Sequence, residues 1–222
     1  MATLQLEHSF KNGGVLTHLD DNLIRVERSQ VAVDADGANG QKGLPPAYAP
    51  SSFHHPTLDN LGDGGRPGNW WALVTDNGHD DGEPILQVAG QPWPGAFISK
   101  TSLRLPRPDG SPFNRKDPMC YVDAATVPFL VICPELVSAV GPIVMGCRAV
   151  LINSLNNRRI EAVVADGGNS NEMGEISLAA LQRLGIAGSA RGVETTARLL
   201  TMEIYPGVAA VVDGITYPLQ HS

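Results

Sequence analysis

Short apolar runs bounded by turn-forming residues set the rhythm of the chain. Leu23-Ile-Arg-Val-Glu-Arg28 and Gln30-Val-Ala-Val-Asp34 read as short strands, and Asp36-Gly37 closes the second. Further strand-type runs are Trp70 to Thr75, ended by Asp76-Asn77-Gly78, then Gly95 to Ser99, Tyr121 to Ile132 and Ala149 to Asn153. Ile160 to Ala165 follows, closed by Asp166-Gly167-Gly168, and Ala197 to Tyr205 is stopped by Pro206-Gly207. One helix is predicted after Ser177. Leu178, Leu181 and Leu184 share a face, the Ser177 hydroxyl can accept from the first turn, and Gly185 ends it. Strands dominate, so the pattern predicts a mainly β single domain, a closed or nearly closed barrel with long loops and one or a few short helices.

Between Ala38 and Gly68 the pattern fails, and Gly, Pro, Asn and Asp prevail. A loop of that length inside a compact domain is more often functional than decorative. Composition agrees: Gly 24 and Pro 17 make 41 of 222 residues, while charged residues reach only 18%. Such a chain is no helical bundle or coiled coil. The net charge of -7, with its 16 basic residues scattered, excludes a phosphate-binding surface and so nucleic acid as a partner. Val127 to Cys147, the most apolar stretch, is interrupted by Pro128, Pro134, Glu135 and Pro142, so no spanning helix and no membrane partner is expected. Cys120, Cys133 and Cys147 fit neither a zinc spacing nor a disulfide framework and read as small buried hydrophobes. The six histidines form no ligand cluster, so neither a metal nor another cofactor is predicted.

Chemistry concentrates in Ala162-Val-Val-Ala-Asp-Gly-Gly-Asn-Ser-Asn-Glu-Met-Gly-Glu-Ile-Ser177. A buried strand ends at Asp166, a flexible loop follows, and Glu175 stands nine residues on, just before the helix. Hydrolysis of a glycosidic bond needs such a pair, one carboxyl to protonate the departing oxygen and one to activate water or attack the sugar. The two environments must differ, so that one group keeps its proton while the other ionises. By itself the spacing is also ordinary turn chemistry for Asp166 and a dipole preference for Glu175.

This segment resembles the signature of glycoside hydrolase family 75, the fungal-type chitosanases, in which an apolar strand ends in Ala-Asp and Gly-Glu-x-Ser follows. Ser177, Leu178, Ala179, Leu184, Gly185 and Ile186 continue the match. Upstream, Val33-Asp-Ala-Asp-Gly37, Gly65-Arg-Pro-Gly-Asn-Trp-Trp71, Val74-Thr-Asp-Asn-Gly78, Ile98 to Leu103 and Asp117 to Val131 (with Tyr121-Val-Asp-Ala124) resemble, in order, segments of bacterial members, as does Pro206-Gly207. The likeness spans residues 23–207, leaving 1–22 as an N-terminal extension and 208–222 as a tail. It implies a six-stranded double-psi β-barrel-like core and endo-hydrolysis of chitosan with inversion. Asp166 and Glu175 would be the essential pair, with Glu175 as general acid because its intrinsic pKa is the higher, and Asp166 as base. Inversion implies carboxyl groups roughly 6.5–9.5 Å apart. The chain departs from the family at Gly167-Gly168-Asn169, where Ile-Gly-Pro is usual, and at Ile176, where glycine is usual. These changes are expected to loosen the loop and to bulk the neighbourhood of the second carboxylate.

Candidates for holding substrate are Asp34, Asp36 and Asp123, which suit the amine of a glucosamine unit, Ser177 from the shared motif, and Trp70, Trp71 and Trp93 as stacking platforms. If Trp70 and Trp71 share a strand, they point to opposite faces, one of them into the core. The first functional expectation is a chitosan hydrolase, since an acidic groove concentrates a polycation. A second keeps the fold but cuts peptidoglycan, as a bacterial toxin or lysis enzyme. A third is a carbohydrate-binding barrel without catalysis. Residues 1–10 show no basic flank and no apolar run. Export by a leaderless route is therefore expected, or a cytoplasmic location if expressed as given, and a toxin would have an immunity or inhibitor protein as partner.

Overall fold

The computed structural model describes residues 7–59, 61, 63–140 and 145–220. The fold is mainly β, and its centre is a curled eight-stranded sheet forming a half-barrel. The chain divides into two compact units, Met1–Asp34 with Thr126–Ser222, and Ala35–Ala125.

The first unit holds the sheet. Its strands are β1 (Val15–Leu19), β2 (Ile24–Ser29), β3 (Ala32–Asp34), β4 (Phe129–Ile132), β5 (Cys147–Asn153), β6 (Arg158–Gly167), β7 (Glu175–Ser177) and β10 (Leu200–Ala209). The minor strands β8 (Gly188–Ser189) and β9 (Gly192–Val193) pair with each other, as do β11 (Val211–Val212) and β12 (Ile215–Thr216). The spatial order is β1-β2-β10-β5-β6-β4-β7-β3. From β1 to β6 every pairing is antiparallel; beyond that, β4 runs parallel to β6, β7 antiparallel to β4, and β3 parallel to β7.

Alternation explains the antiparallel half. On β2, Ile24 and Val26 face inward and are fully buried, while Arg25 and Glu27 face the other side. That polar face is bound by charge. Glu203 on β10 lies opposite Arg25, accepts from its guanidinium at 2.5 Å, and accepts from Arg159 of β6 at 2.8 Å. Next to it, the Arg148 guanidinium lies 4.5 Å from the centre of the Tyr205 ring. Deeper in the sheet alternation vanishes. Residues 129–132 and 162–165 are buried throughout, as strands covered on both faces should be.

Several expectations are revised. Val15–Leu19, assigned to an N-terminal extension, forms the sheet edge β1; only Leu16 of its five residues is buried, which leaves a faint pattern. Residues 206–209 belong to β10 rather than ending it. Tyr205 pairs with Arg148 and Ala209 with the adjacent Cys147, so residues 206–208 form a bulge in which the missing N–H of Pro206 does no harm. A second helix, α1 (Pro134–Val140), within the expected one or a few, follows β4 at a place the pattern did not assign to helix. Pro134 stands at its first position, where a proline starts a helix instead of breaking it. The helix α2 (Leu178–Arg183) forms as predicted. Ser177 caps it, and Gly185, at φ +67°, closes it with bonds from its own N–H to Gln182 and from Ile186 to Leu181.

In the second unit the predicted strands 70–75 and 95–99 pair only through isolated bridges, among them Leu73 with Ser99 and Leu86 with Phe97. Of 121–132 only the last four residues are strand, and Pro118–Cys120 is a single turn of 3-10 helix. The start of the long polar stretch is tied to distant segments by Asn39, which is fully buried. Its amide donates to the carbonyls of Gly37, Ser99 and Pro118, and accepts from the Ser99 N–H. A buried Asn satisfied on every side replaces the apolar contacts this stretch lacks.

Ser177 joins three elements of the first unit. Its hydroxyl accepts from Ala180 N at 3.1 Å and from Phe129 N at 2.9 Å, and donates to Val127 O at 2.8 Å. Ser177→Ala removes the cap and leaves the buried Phe129 N–H unpaired, so chemical denaturation should show a loss of roughly 2–3 kcal/mol. A loss below about 0.5 kcal/mol would contradict that role.

Candidate active site

Asp166 occupies the next-to-last position of β6, and its direction is set by an irregularity in the sheet. Leu130 of β4 pairs with Val164 and Val131 with Asp166, so Ala165 is an extra residue on β6. A bulge of this kind turns the following side chain away from the simple alternation of the strand. Asp166 is 9% exposed, and its carboxylate accepts from the Gly167 N–H at 2.7 Å.

Glu175 opens β7, the three-residue strand inserted between β4 and β3. Glu175 pairs with Ala32 and Ser177 with Asp34, while Ile176 pairs with Leu130 of β4. Successive residues of a strand face opposite sides, so Ile176 points away from Glu175. It is fully buried, and it adds to the core rather than to the bulk around the carboxylate. Gly168 packs closely on β4 and β7. A methyl group there would lie 3.2 Å from Glu175 Oε2 and 2.8 Å from a Val131 methyl.

Glu175 is half-buried, and burial is the main cause that pushes its carboxyl up to about 7. The charge of Asp166 adds to the shift, and that of Glu172 adds less. The sequence pattern did not single out Glu172; it is one more acid in a polar loop, and only its position three residues before Glu175 is suggestive. From β3 a further acid, Asp34, is buried and brings a carboxylate oxygen within 4.8 Å of one on Asp166. The arrangement thus holds one carboxyl that keeps its proton up to neutrality beside acids whose charge helps to keep it there.

The predicted residues fall into two groups. Asp34, Asp166, Glu175 and Ser177 lie together in the first unit. Ser177, expected among substrate contacts, has no exposed surface, and its hydroxyl is engaged in the three bonds above. It positions β7 rather than offering a surface to a ligand. Asp36, Asp123, Trp70, Trp71 and Trp93 belong to the second unit. Asp36 accepts from the Tyr48 hydroxyl at 2.7 Å, and Asp123 is buried with the Ala125 N–H on its carboxylate. Trp70 and Trp71 lie outside any strand, and neither is core. Trp70 is half-buried, whereas Trp71 is 47% exposed with its indole N–H bonded to Asp63 O. Trp93 is half-buried, and the His55 ring stands nearly perpendicular to it with ring centres 6.0 Å apart. The segment 168–174, expected to be flexible, is hydrogen-bonded to two other parts of the first unit.

No protein-family model matches the chain, and no curated protein matches it.

The raised carboxyl has a thermodynamic signature. In the unfolded chain Glu175 ionises near 4.5, whereas in the fold it holds its proton to about 7. The folded state therefore binds the extra proton between these values, and stability falls as pH rises through that window. Glu175→Gln, which cannot ionise, should unfold like the wild type near pH 4 and be the more stable by roughly 3 kcal/mol at pH 8. Urea denaturation across pH checks this, and equal stabilities at pH 8 would contradict it.

Proposed function

We propose that the chain is an endo-acting glycoside hydrolase of the family 75 type that cleaves β-1,4-linked glucosamine polymer by inversion. One observation carries the proposal: Glu175 is a carboxyl pushed up to about 7 beside the carboxylate of Asp166, on the two positions where the family motif has its essential pair. A general acid working near neutrality must still hold a proton, and a base must have lost its own.

In the proposed reaction Glu175 gives its proton to the glycosidic oxygen as the bond to the anomeric carbon breaks. Asp166 takes a proton from a water molecule, whose oxygen attacks that carbon from the opposite face. Both carboxyls end with their protonation exchanged, and solvent restores them. The parallel pairs β4–β6 and β3–β7, set around the antiparallel contact of β4 with β7, support reading the curled sheet as the family's six-stranded double-psi barrel. The net charge of -7 supports a cationic polymer, because summed surface charge gathers the opposite sign.

Incubation with soluble chitosan, colloidal chitin and bacterial sacculi, scored for new reducing ends, separates the readings. The expected result is cleavage of chitosan, with the opposite anomer formed first by proton NMR, and with kcat/KM falling as pH rises through about 7. Asp166→Asn and Glu175→Gln should each lower kcat by about 10³-fold or more. Cleavage of sacculi alone would move the substrate to peptidoglycan. Binding without cleavage, or a near wild-type rate in either variant, would refute the catalytic pair.

A further inference from the structure

We propose that the loop between the two carboxylates is held in its working shape by a two-sided clasp, with Glu135 of α1 on one side and the turn 8–12 on the other. Its importance for turnover rests on the reading of Asp166 and Glu175 as the catalytic pair. Glu135 is the positioning residue, acting through Ser170 and Asn171 rather than on substrate.

Glu135 lies in the first turn of α1, and its carboxylate accepts from the Ser170 hydroxyl and, at 2.7 Å, from the Asn171 N–H. These bonds hold its carboxyl down to about 2, so it stays charged wherever the protein works. From the opposite direction the Lys11 ammonium donates to Ser170 O at 2.9 Å, and the Lys11 N–H donates to Asn171 O at 2.9 Å. His8 Nε2 meets Asn171 Oδ1 at 2.7 Å, and Asn12 Oδ1 accepts from Met173 N at 3.3 Å.

Asn171 is therefore fixed through its N–H, its carbonyl and its side chain together. Its φ of +58° is left-handed, a conformation that Asn tolerates but that needs support from its surroundings. Three residues further on, Gly174 at φ +119° presses against the neighbouring backbone; a side chain there would lie 2.3 Å from Gln30 O. With both points anchored, the entry of β7 has little freedom, and Glu175 is its first residue.

The force the clasp resists comes from the acids around Glu175. Asp166 on β6 and Glu172 in the loop both repel its charged form, and Asp34 on β3 stands beside Asp166. Repulsion and hydration both draw an unrestrained carboxylate outward. A slack loop would let Glu175 swing into water, where it loses its proton at lower pH.

The test uses the full chain and two independent readouts. Carbon-13 NMR follows the titration midpoint of Glu175 in the wild type, Glu135→Ala, Glu135→Gln and Ser170→Ala, and steady-state kinetics on soluble chitosan follows kcat and KM against pH. Glu135→Ala should lower the midpoint by about one pH unit and kcat by about 10–100-fold, with KM within about threefold. Glu135→Gln keeps an acceptor oxygen and should recover most of both. An equal midpoint shift in the Gln and Ala variants would be a direct effect of the lost charge and would overturn the clasp. So would wild-type midpoints in all variants. Ser170→Ala removes one bond of the clasp at an exposed position, and it decides the matter if Glu135→Ala does not fold. A wild-type chain that cleaves no polymer would end the proposed activity, while the NMR titration would still decide the clasp.

Discussion

Two acidic side chains that repel each other, set where water reaches them poorly, are the constraint around which the first unit is arranged. Nothing about Glu175 and Asp166 is comfortable. Burial disfavours the charge of Glu175, and the neighbouring charge disfavours it again. Such a pair persists only because the backbone around it is fixed by other interactions. Asp166 is placed by the bulge at Ala165, and Glu175 by a three-residue strand bonded on both sides. The hydroxyl of Ser177 then ties that strand to β4 and α2.

How much of this is legible in the sequence depends on how local the signal is. Alternation in residues 24–28 and the serine cap before Leu178 are written in neighbouring residues, and both appear in the structure where the pattern puts them. The pair Asp166 and Glu175 is equally visible, since a strand end and a helix entrance mark its two members. Elements whose reason lies elsewhere in the chain are not visible. β7 has three residues and exists because β3 and β4 flank it. The partners of Asn171 include His8, at a sequence separation of 163. Proline misleads twice: Pro134 begins a helix and Pro206 sits in a bulge, and both look like breakers when read alone.

The two positions that differ from the pattern of the proposed family fit the structure in different ways. Ile176 fills a fully buried position on the face opposite the carboxylate, so a larger residue there strengthens packing and leaves the site unchanged. The loop 168–174 contains no proline, and its bonds run instead to Glu135, Lys11 and Asn12. Rigidity that one residue supplies through its ring is here supplied by distant partners.

The order β1-β2-β10-β5-β6-β4-β7-β3 also bears on how the polypeptide comes into being. β2 is synthesised early, yet its partner on one side is β10, and β3 must wait for β7. Asp34 leaves the ribosome 132 residues ahead of Asp166 and 141 ahead of Glu175. Closing the sheet must await contacts between segments far apart in the chain, which makes this a slow-forming topology. Whatever chemistry the pair performs is withheld from the growing chain until β6 and β7 have both emerged.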